Sequence, residues 1–272
     1  WTDATRASDE MWLCAGLIMV ESGGSFNMSI AAKRAYVYVK ANGQTHPVIG
    51  RRAFGGYLSA ISVAGKPLAR TWSLLAEAAP VGATTLALLH DPRAMGWAVG
   101  DRIALAPMAT GSSGNAEARS IAGFADGNVV LLDAATQAAY PVELSSDALR
   151  APEVVHLSRS VVITGDQFSH APNCHGDTPG KTCTDGLHVM MAGFARSLLR
   201  ISHVRVERCG QRGTLGRYCL HLHRQGSCPD CLLHGNAIEQ SHQRGIVVHG
   251  THQALVSENV LFDVRGANIY LE

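Results

Sequence analysis

At 272 residues the chain can form one large all-β domain or two to three small ones, since solenoids escape the usual size limit by adding coils. Apolar residues make up 46% and charged residues 17%, which supplies core material and excludes a disordered chain. Lys plus Arg nearly balances Asp plus Glu, 23 against 22, which argues against a broad nucleic-acid or anionic-membrane surface.

The apolar stretch Leu13–Val20 falls far short of the roughly 20 residues that cross a bilayer. The chain begins at Trp1 without Met and ends on Leu271-Glu272 within a strand-like pattern, so it reads as a piece of a longer polypeptide, truncated at its C-terminal end. Short runs rich in Val, Ile, Leu and Tyr alternate with Gly, Pro, Asn and Asp: Leu17–Val20, Ala35–Val39, Leu58–Val63, Thr85–Leu89, Arg102–Leu105, Val129–Leu132 and Val161–Thr164. They predict many short strands, tight turns and almost no helix. Over Pro67–Ala79, Thr71 and Ser73 alternate with Trp72 and Leu74, which favours strand. Texture divides the chain into residues 1–75, with the glycine corners Glu21–Ser25 and Phe54–Tyr57, a β-rich connecting region 76–150, and a repetitive part 151–272. In Trp97-Ala-Val-Gly-Asp101 the Trp is expected to fill a core, the Gly to turn and the Asp to cap that turn.

Repetition is visible residue by residue. Asn236-Ala-Ile-Glu-Gln aligns with Asn259-Val-Leu-Phe-Asp at an offset of 23, which also sets Ile246 on Ile269, Val248 on Leu271 and His249 on Glu272. His203-Val-Arg-Val-Glu207 is an earlier unit, separated by an inserted loop around Gly210–Gly216. A strand-rich period in the low twenties without helix predicts a parallel β-helix, right-handed as such solenoids are. The Leu-x-x-Leu-x-Leu pattern and asparagine ladder of leucine-rich repeats are absent. Residues one period apart become neighbours, while Leu220 and Leu222 face the core and His221 and His223 face outward.

Seven cysteines are present. Cys174 and Cys183 bracket a Gly-, Pro- and Asp-rich loop and are expected to form a local disulfide; Cys228-Pro-Asp-Cys231 reads as a turn with bonded cysteines rather than a zinc or redox site. Asn27-Met28-Ser29 is a glycosylation sequon, consistent with secretion.

Trp97-x-x-Gly-Asp101-x-Ile, Leu157–Gly165, Cys209-Gly-Gln211, Gly216-Arg-Tyr-Cys-Leu-His-Leu-His223 and Arg244-Gly-Ile-Val-Val-His-Gly-Thr-His252 occur in an order that resembles one family. These are the extracellular proteins that couple an eight-glycine domain to parallel β-helix repeats. The group includes the cell-migration-inducing hyaluronan-degrading protein, its transmembrane cell-surface relative and the fibrocystin-like proteins. The resemblance implies that 1–75 is the later part of an eight-glycine-type domain and 151–272 the first coils of the β-helix. Departures are Cys219 where the family has Pro, Leu222 where it has an aromatic, and Gly266-Ala267 where it shows Gly-His. Members without an established hydrolase role share the Arg-Tyr…His-x-His run, so the motif speaks for the fold more than for catalysis.

The candidate site comprises His221, His223, His249 and Glu272, whose imidazoles and carboxylate could hold a divalent metal, the one cofactor the pattern suggests. Alternatively His221 and His223 act as acid–base catalysts, with Arg217 gripping a uronate carboxylate. His252 and Asp263 are further ligand-binding candidates, and Glu207, Glu239 and Asp263 a carboxylate set to weigh for glycosidase chemistry. Against these stands a plain polar ladder, since β-helices stack like on like. Two readings follow: a secreted or cell-surface β-helix that binds extracellular polysaccharide or protein partners, or a hydrolase that depolymerises a hyaluronan-like glycosaminoglycan.

Overall fold

The structure, a computed structural model, describes residues 1–4, 8–107, 116–144, 149–166, 185–194 and 197–272. Among these every regular element is a strand, as the punctuation of the sequence predicts. The chain forms two compact units, one from Trp1–Lys66 and Arg159–Glu272, the other from Pro67–Ser158.

In the first unit the chain visits three sheets in fixed order, once per coil. The first sheet holds Glu10–Ala15, Arg34–Val39, Val161–Gly165, Val204–Cys209, Ala237–Ser241 and Val260–Val264. The second holds Ile18–Glu21, Ala53–Tyr57, His188–Ala192, Leu220–Ser227, Ile246–His252 and Ile269–Leu271. The third holds Ser25–Ser29, Ala60–Ala64, Leu198–Ser202, Leu232–His234 and Leu255–Ser257. All neighbours pair in parallel, coil on coil, so the unit is a parallel β-helix.

Alternation explains why these segments are strands. In Arg34–Val39 the residues Ala35, Val37 and Val39 are buried while Arg34, Tyr36 and Tyr38 point outward. Val37, Ile163, Val206 and Ile238 then stand in register on successive coils, and all are fully buried in one core with Leu220, Leu222 and Ile246. Each such side chain contributes about 1.5–3 kcal/mol of burial, which no coil gains alone.

Sharp corners turn the chain between sheets. His203, Gly235 and Glu258 occupy the left-handed region at φ 52°, 64° and 55°, one per coil between third and first sheets. Arg208, Gln240 and Asp263 do the same at φ 54°, 53° and 53° near the end of the first-sheet strands. Only one of the six is glycine, so composition did not mark these corners. Beside the first set lies a short asparagine ladder, although the leucine-rich-repeat pattern that carries one elsewhere is absent from the sequence. Asn236 Oδ1 accepts from Val204 N–H at 3.0 Å and its Nδ2 donates to Ile201 O and to Asn259 Oδ1, both at 2.9 Å. Asn259 in turn donates to Leu233 O at 2.8 Å.

The division expected from texture needs correction. Residues 1–66 are not set apart from the β-helix: Arg34–Val39 pairs directly with Val161–Gly165 and Ala53–Tyr57 with His188–Ala192. The first coils therefore lie before residue 66, and Pro67–Ser158 is an insertion at a coil corner that breaks the period and hides it from inspection. That insertion is a six-stranded sheet with antiparallel pairing, Trp72–Leu74 among its strands. Trp97 is buried with Nε1 donating to Arg70 O at 3.0 Å, Gly100 turns at φ 87°, and Asp101 accepts from Ala98 N–H at 2.7 Å. The Trp-x-x-Gly-Asp run is structural, as expected.

Two disulfides form among the described residues, Cys209–Cys219 and Cys228–Cys231, and Cys14 is free and exposed. Cys174 and Cys183 lie outside the described residues. The Cys209–Cys219 bridge, which no spacing in the sequence marks, joins first and second sheets within one coil and closes the loop 210–218.

Over the early coils the outer side of the second sheet is capped. The short hairpin Thr45–His46 and Gly50–Arg51 brings Ile49 against Met19, Ala53 and Met190. Beneath it His188 is fully buried, its Nε2 donating to Ile49 O at 2.9 Å while Nδ1 has no partner among the described residues. Burial first, then the positive charge of Arg217, pushes the His188 pKa down to about 3.

Two predictions follow from this packing. Asn236→Ala should cost about 2–4 kcal/mol in chemical denaturation, because it strands the buried N–H of Val204 and carbonyl of Ile201 on the preceding coil; a loss below about 0.5 kcal/mol would show that the ladder is dispensable. A histidine held below its ordinary value favours the folded chain only while neutral, so stability is complete above about pH 6.5 and falls as pH drops toward the folded value. Between pH 6.5 and 4.5, His188 should account for about 2–3 kcal/mol of lost stability. His188→Gln, which keeps a donor for Ile49, should flatten that slope; an unchanged slope would place the acid sensitivity elsewhere.

Candidate histidine site on the second sheet

The strand Leu220–Ser227 alternates sides, with Leu220 and Leu222 in the core and His221 and His223 outward. Pairing with Ile246–His252 sets His221 against Val247 and His223 against His249. His221 and His223 ring centroids lie 4.9 Å apart at 73°, and His223 and His249 4.8 Å apart at 78°. His221 and His249 are 6.2 Å apart and nearly parallel. One nitrogen from each ring falls within 4.8 Å of the others.

The surroundings fix the protonation of His221 and His223. His221 is 1% exposed, and its Nδ1 lies 3.0 Å from Gly216 O; a carbonyl only accepts, so the proton sits on Nδ1 and Nε2 presents a lone pair. That Nε2 has no partner among the described residues, and neither has Nδ1 of His223. Burial, outweighing the Gly216 bond, drives the His221 pKa down to about 3, and burial likewise lowers that of His223. Both are therefore neutral at physiological pH.

Glu272 stands one coil above His223's partner: its Oε1 is 3.7 Å from His249 Nδ1, and its backbone joins the ladder through Val248 O at 3.0 Å. The other carboxylate oxygen lies 3.4 Å from Arg244 Nη1. Arg244 also lies over the Tyr270 ring at 3.7 Å and over buried Tyr218 at 5.2 Å, and donates to the Tyr218 hydroxyl at 3.3 Å. Tyr218 closes the group edge-on to His221 at 5.0 Å.

The structure brings together four of the expected residues, His221, His223, His249 and Glu272. Arg217 is engaged elsewhere: Nη2 donates to Val48 O at 2.8 Å, and its guanidinium packs over Gly50, where an added Cβ would lie 3.3 Å from Nε. It clasps the hairpin to the loop 210–218. His252 is exposed past the bend at Gly250 and Thr251, where the strand has shifted register. Asp263 is exposed on the first sheet, turned out by its left-handed backbone. Glu207 and Glu239 also belong to the first sheet, where Arg205 Nη2 bridges them at 2.5 and 2.8 Å. Asn27 is exposed on the strand Ser25–Ser29.

Arg244, Tyr218 and Tyr270 are the neighbours that sequence reading missed. Tyr270 could have been found by the offset of 23, which sets it on Val247, itself paired with His221. Arg244 opens the run that ends in His249 but precedes the strand, and no periodicity marks it.

Residues 184–272 match the family model of the CEMIP beta-helix. Fibrocystin-L of Mus musculus is 29% identical over 261 residues, covering 83% of this chain and 6% of that protein. A G8 domain-containing protein of Dictyostelium discoideum is 28% identical over 222 residues, 81% of this chain and 14% of its own length. The cell surface hyaluronidase of Danio rerio is 30% identical over 133 residues, 44% of this chain and 9% of the relative. A tailspike of Pseudomonas phage phi297 aligns over 93% of this chain and 39% of its own, at 14% identity and a TM-score of 0.31. The chain thus spans a small part of the curated relatives it matches. It is similar to Fibrocystin-L, to G8 domain-containing proteins and to a cell surface hyaluronidase, and residues 184–272 match the CEMIP beta-helix model.

Proposed function

We propose that this chain is a section of a secreted or cell-surface β-helix protein that engages an extracellular polysaccharide on the outer face of its second sheet. The observation that carries the reading is the convergence of His221, His223 and His249, two of them with unpartnered ring nitrogens, beside Arg244 and Tyr270. Neutral imidazoles, a guanidinium and an aromatic ring are groups that meet hydroxyls, carboxylates and sugar faces. The relationship to a protein named cell surface hyaluronidase supports an acidic glycosaminoglycan as the ligand class. Disulfides support an oxidising compartment, and the exposed sequon at Asn27 is consistent with a glycoprotein.

A second reading is hydrolysis of that polysaccharide. Neutral His223 would serve as general base, and Glu272 beside His249 would hold that ring in orientation. Protein partners in place of sugar remain the outcome if no glycan binds. The test is incubation of the full-length protein with hyaluronan, chondroitin sulfate and a neutral glucan, scored for retention and for chain shortening. Retention of the acidic chains, weakened tenfold or more by His223→Ala at unchanged melting temperature, is the expected result; shortening abolished by the same variant would establish the hydrolase. No retention and no shortening of any polysaccharide would leave an interaction module and refute the proposal.

A further inference from the structure

We propose that His221, His223 and His249 bind one divalent transition-metal ion of the zinc class and leave a coordination position open. The inference concerns the same face but does not rest on the polysaccharide reading.

Backbone geometry makes the cluster. Two histidines at i and i+2 project from one strand, and parallel pairing sets the third beside the second on the next coil. One nitrogen of each lies within 4.8 Å of the other two. Metal–nitrogen bonds of about 2.0–2.1 Å at tetrahedral angles require nitrogens about 3.4 Å apart, so small rotations of the rings suffice.

The unused nitrogens point the same way. His221 is buried, and its bare Nε2 has no donor to accept from; His223 Nδ1 is likewise unpartnered among the described residues. Orphaned lone pairs in a buried site cost free energy unless a water or an ion takes them up. Edge-to-face packing of the rings accounts for their contact but leaves those nitrogens unsatisfied.

Outer groups have the arrangement that metal-ligating histidines require. His221 directs its Nδ1–H to Gly216 O, in the loop closed by Cys209–Cys219, and so turns Nε2 toward the cluster. His249 faces Glu272 with Nδ1, which leaves Nε2 as its free ligand atom. Glu272 itself is shared with Arg244 and so acts behind His249 instead of completing the coordination shell. Three imidazoles without a hard oxygen ligand favour Zn²⁺, Co²⁺, Ni²⁺ or Cu²⁺ over Ca²⁺ or Mg²⁺. Three protein ligands with a fourth place free is the pattern of a working site more than of a closed structural one.

The experiment is titration of the metal-stripped full-length protein with Zn²⁺ alone by calorimetry, and with Co²⁺ by visible absorption. One site per chain at micromolar affinity or tighter is expected. His223→Ala and His249→Ala should each weaken it at least about 100-fold, Glu272→Gln by about 10–100-fold, and His46→Ala on the hairpin should leave it unchanged. If the alanine variants fail to fold, the Co²⁺ spectrum of the unaltered chain decides: intense low-coordinate bands support the site, and the weak spectrum of the hydrated ion overturns it. Affinity poorer than about 100 μM, or binding that survives both alanine variants, also overturns it. Glycan retention undiminished by chelator, with no zinc bound, refutes this inference while sparing the polysaccharide reading. One bound zinc without glycan retention does the reverse.

Discussion

Hydrogen bonds between the parallel strands Leu220–Ser227 and Ile246–His252 fix His223 beside His249, with Leu220 against Ile246 and Leu222 against Val248 on the inner side. Side chains alternate with a period of two, so a slip of one residue would drive the histidines into the core and expose the leucines. The cost of stranding Leu220, Leu222 and their neighbours therefore holds the outer residues in place. Packing of an apolar interior selects the geometry of a polar exterior that contributes little to stability itself.

Around that register the molecule keeps the lower part of the face dry. The hairpin carrying Ile49 lies over Ala53 and Met190, Arg217 ties it to the loop 210–218, and the Cys209–Cys219 bridge closes that loop at its base. His188 and His221 are consequently buried and neutral, whereas His223 and His249, next along the same face, reach solvent. One sheet thus grades from a sealed apolar cover to an accessible cluster within two coils. Arg244 and Tyr270 border its open side and give it positive charge and an aromatic surface.

Much of this was legible in the sequence because a solenoid repeats. The offset of 23 between Asn236 and Asn259 is the coil length, and the same offset places His249 under Glu272. Residues 1–66 escaped because the insertion Pro67–Ser158 separates them from the coils they stack on, and no sequence period survives such a gap. The hairpin contact of Arg217 was hidden for another reason. Its role depends on Val48, 169 residues earlier in the chain, a contact that no local pattern encodes. Corners at His203, Arg208 and Asp263 were hidden because residues with side chains occupy a backbone region that usually signals glycine.

Register between the fourth and fifth coils is the claim on which the site stands, and a cross-link measures it directly. Cα atoms paired across adjacent parallel strands fall within the range a disulfide spans, whereas a pair two residues out of register does not. In the double variant His223→Cys with His249→Cys, mild oxidation should form the new bridge in most molecules, read by peptide mass spectrometry. In His221→Cys with His249→Cys it should not. Bridging of the second pair in preference to the first, or of neither, would contradict the stacking of His223 on His249.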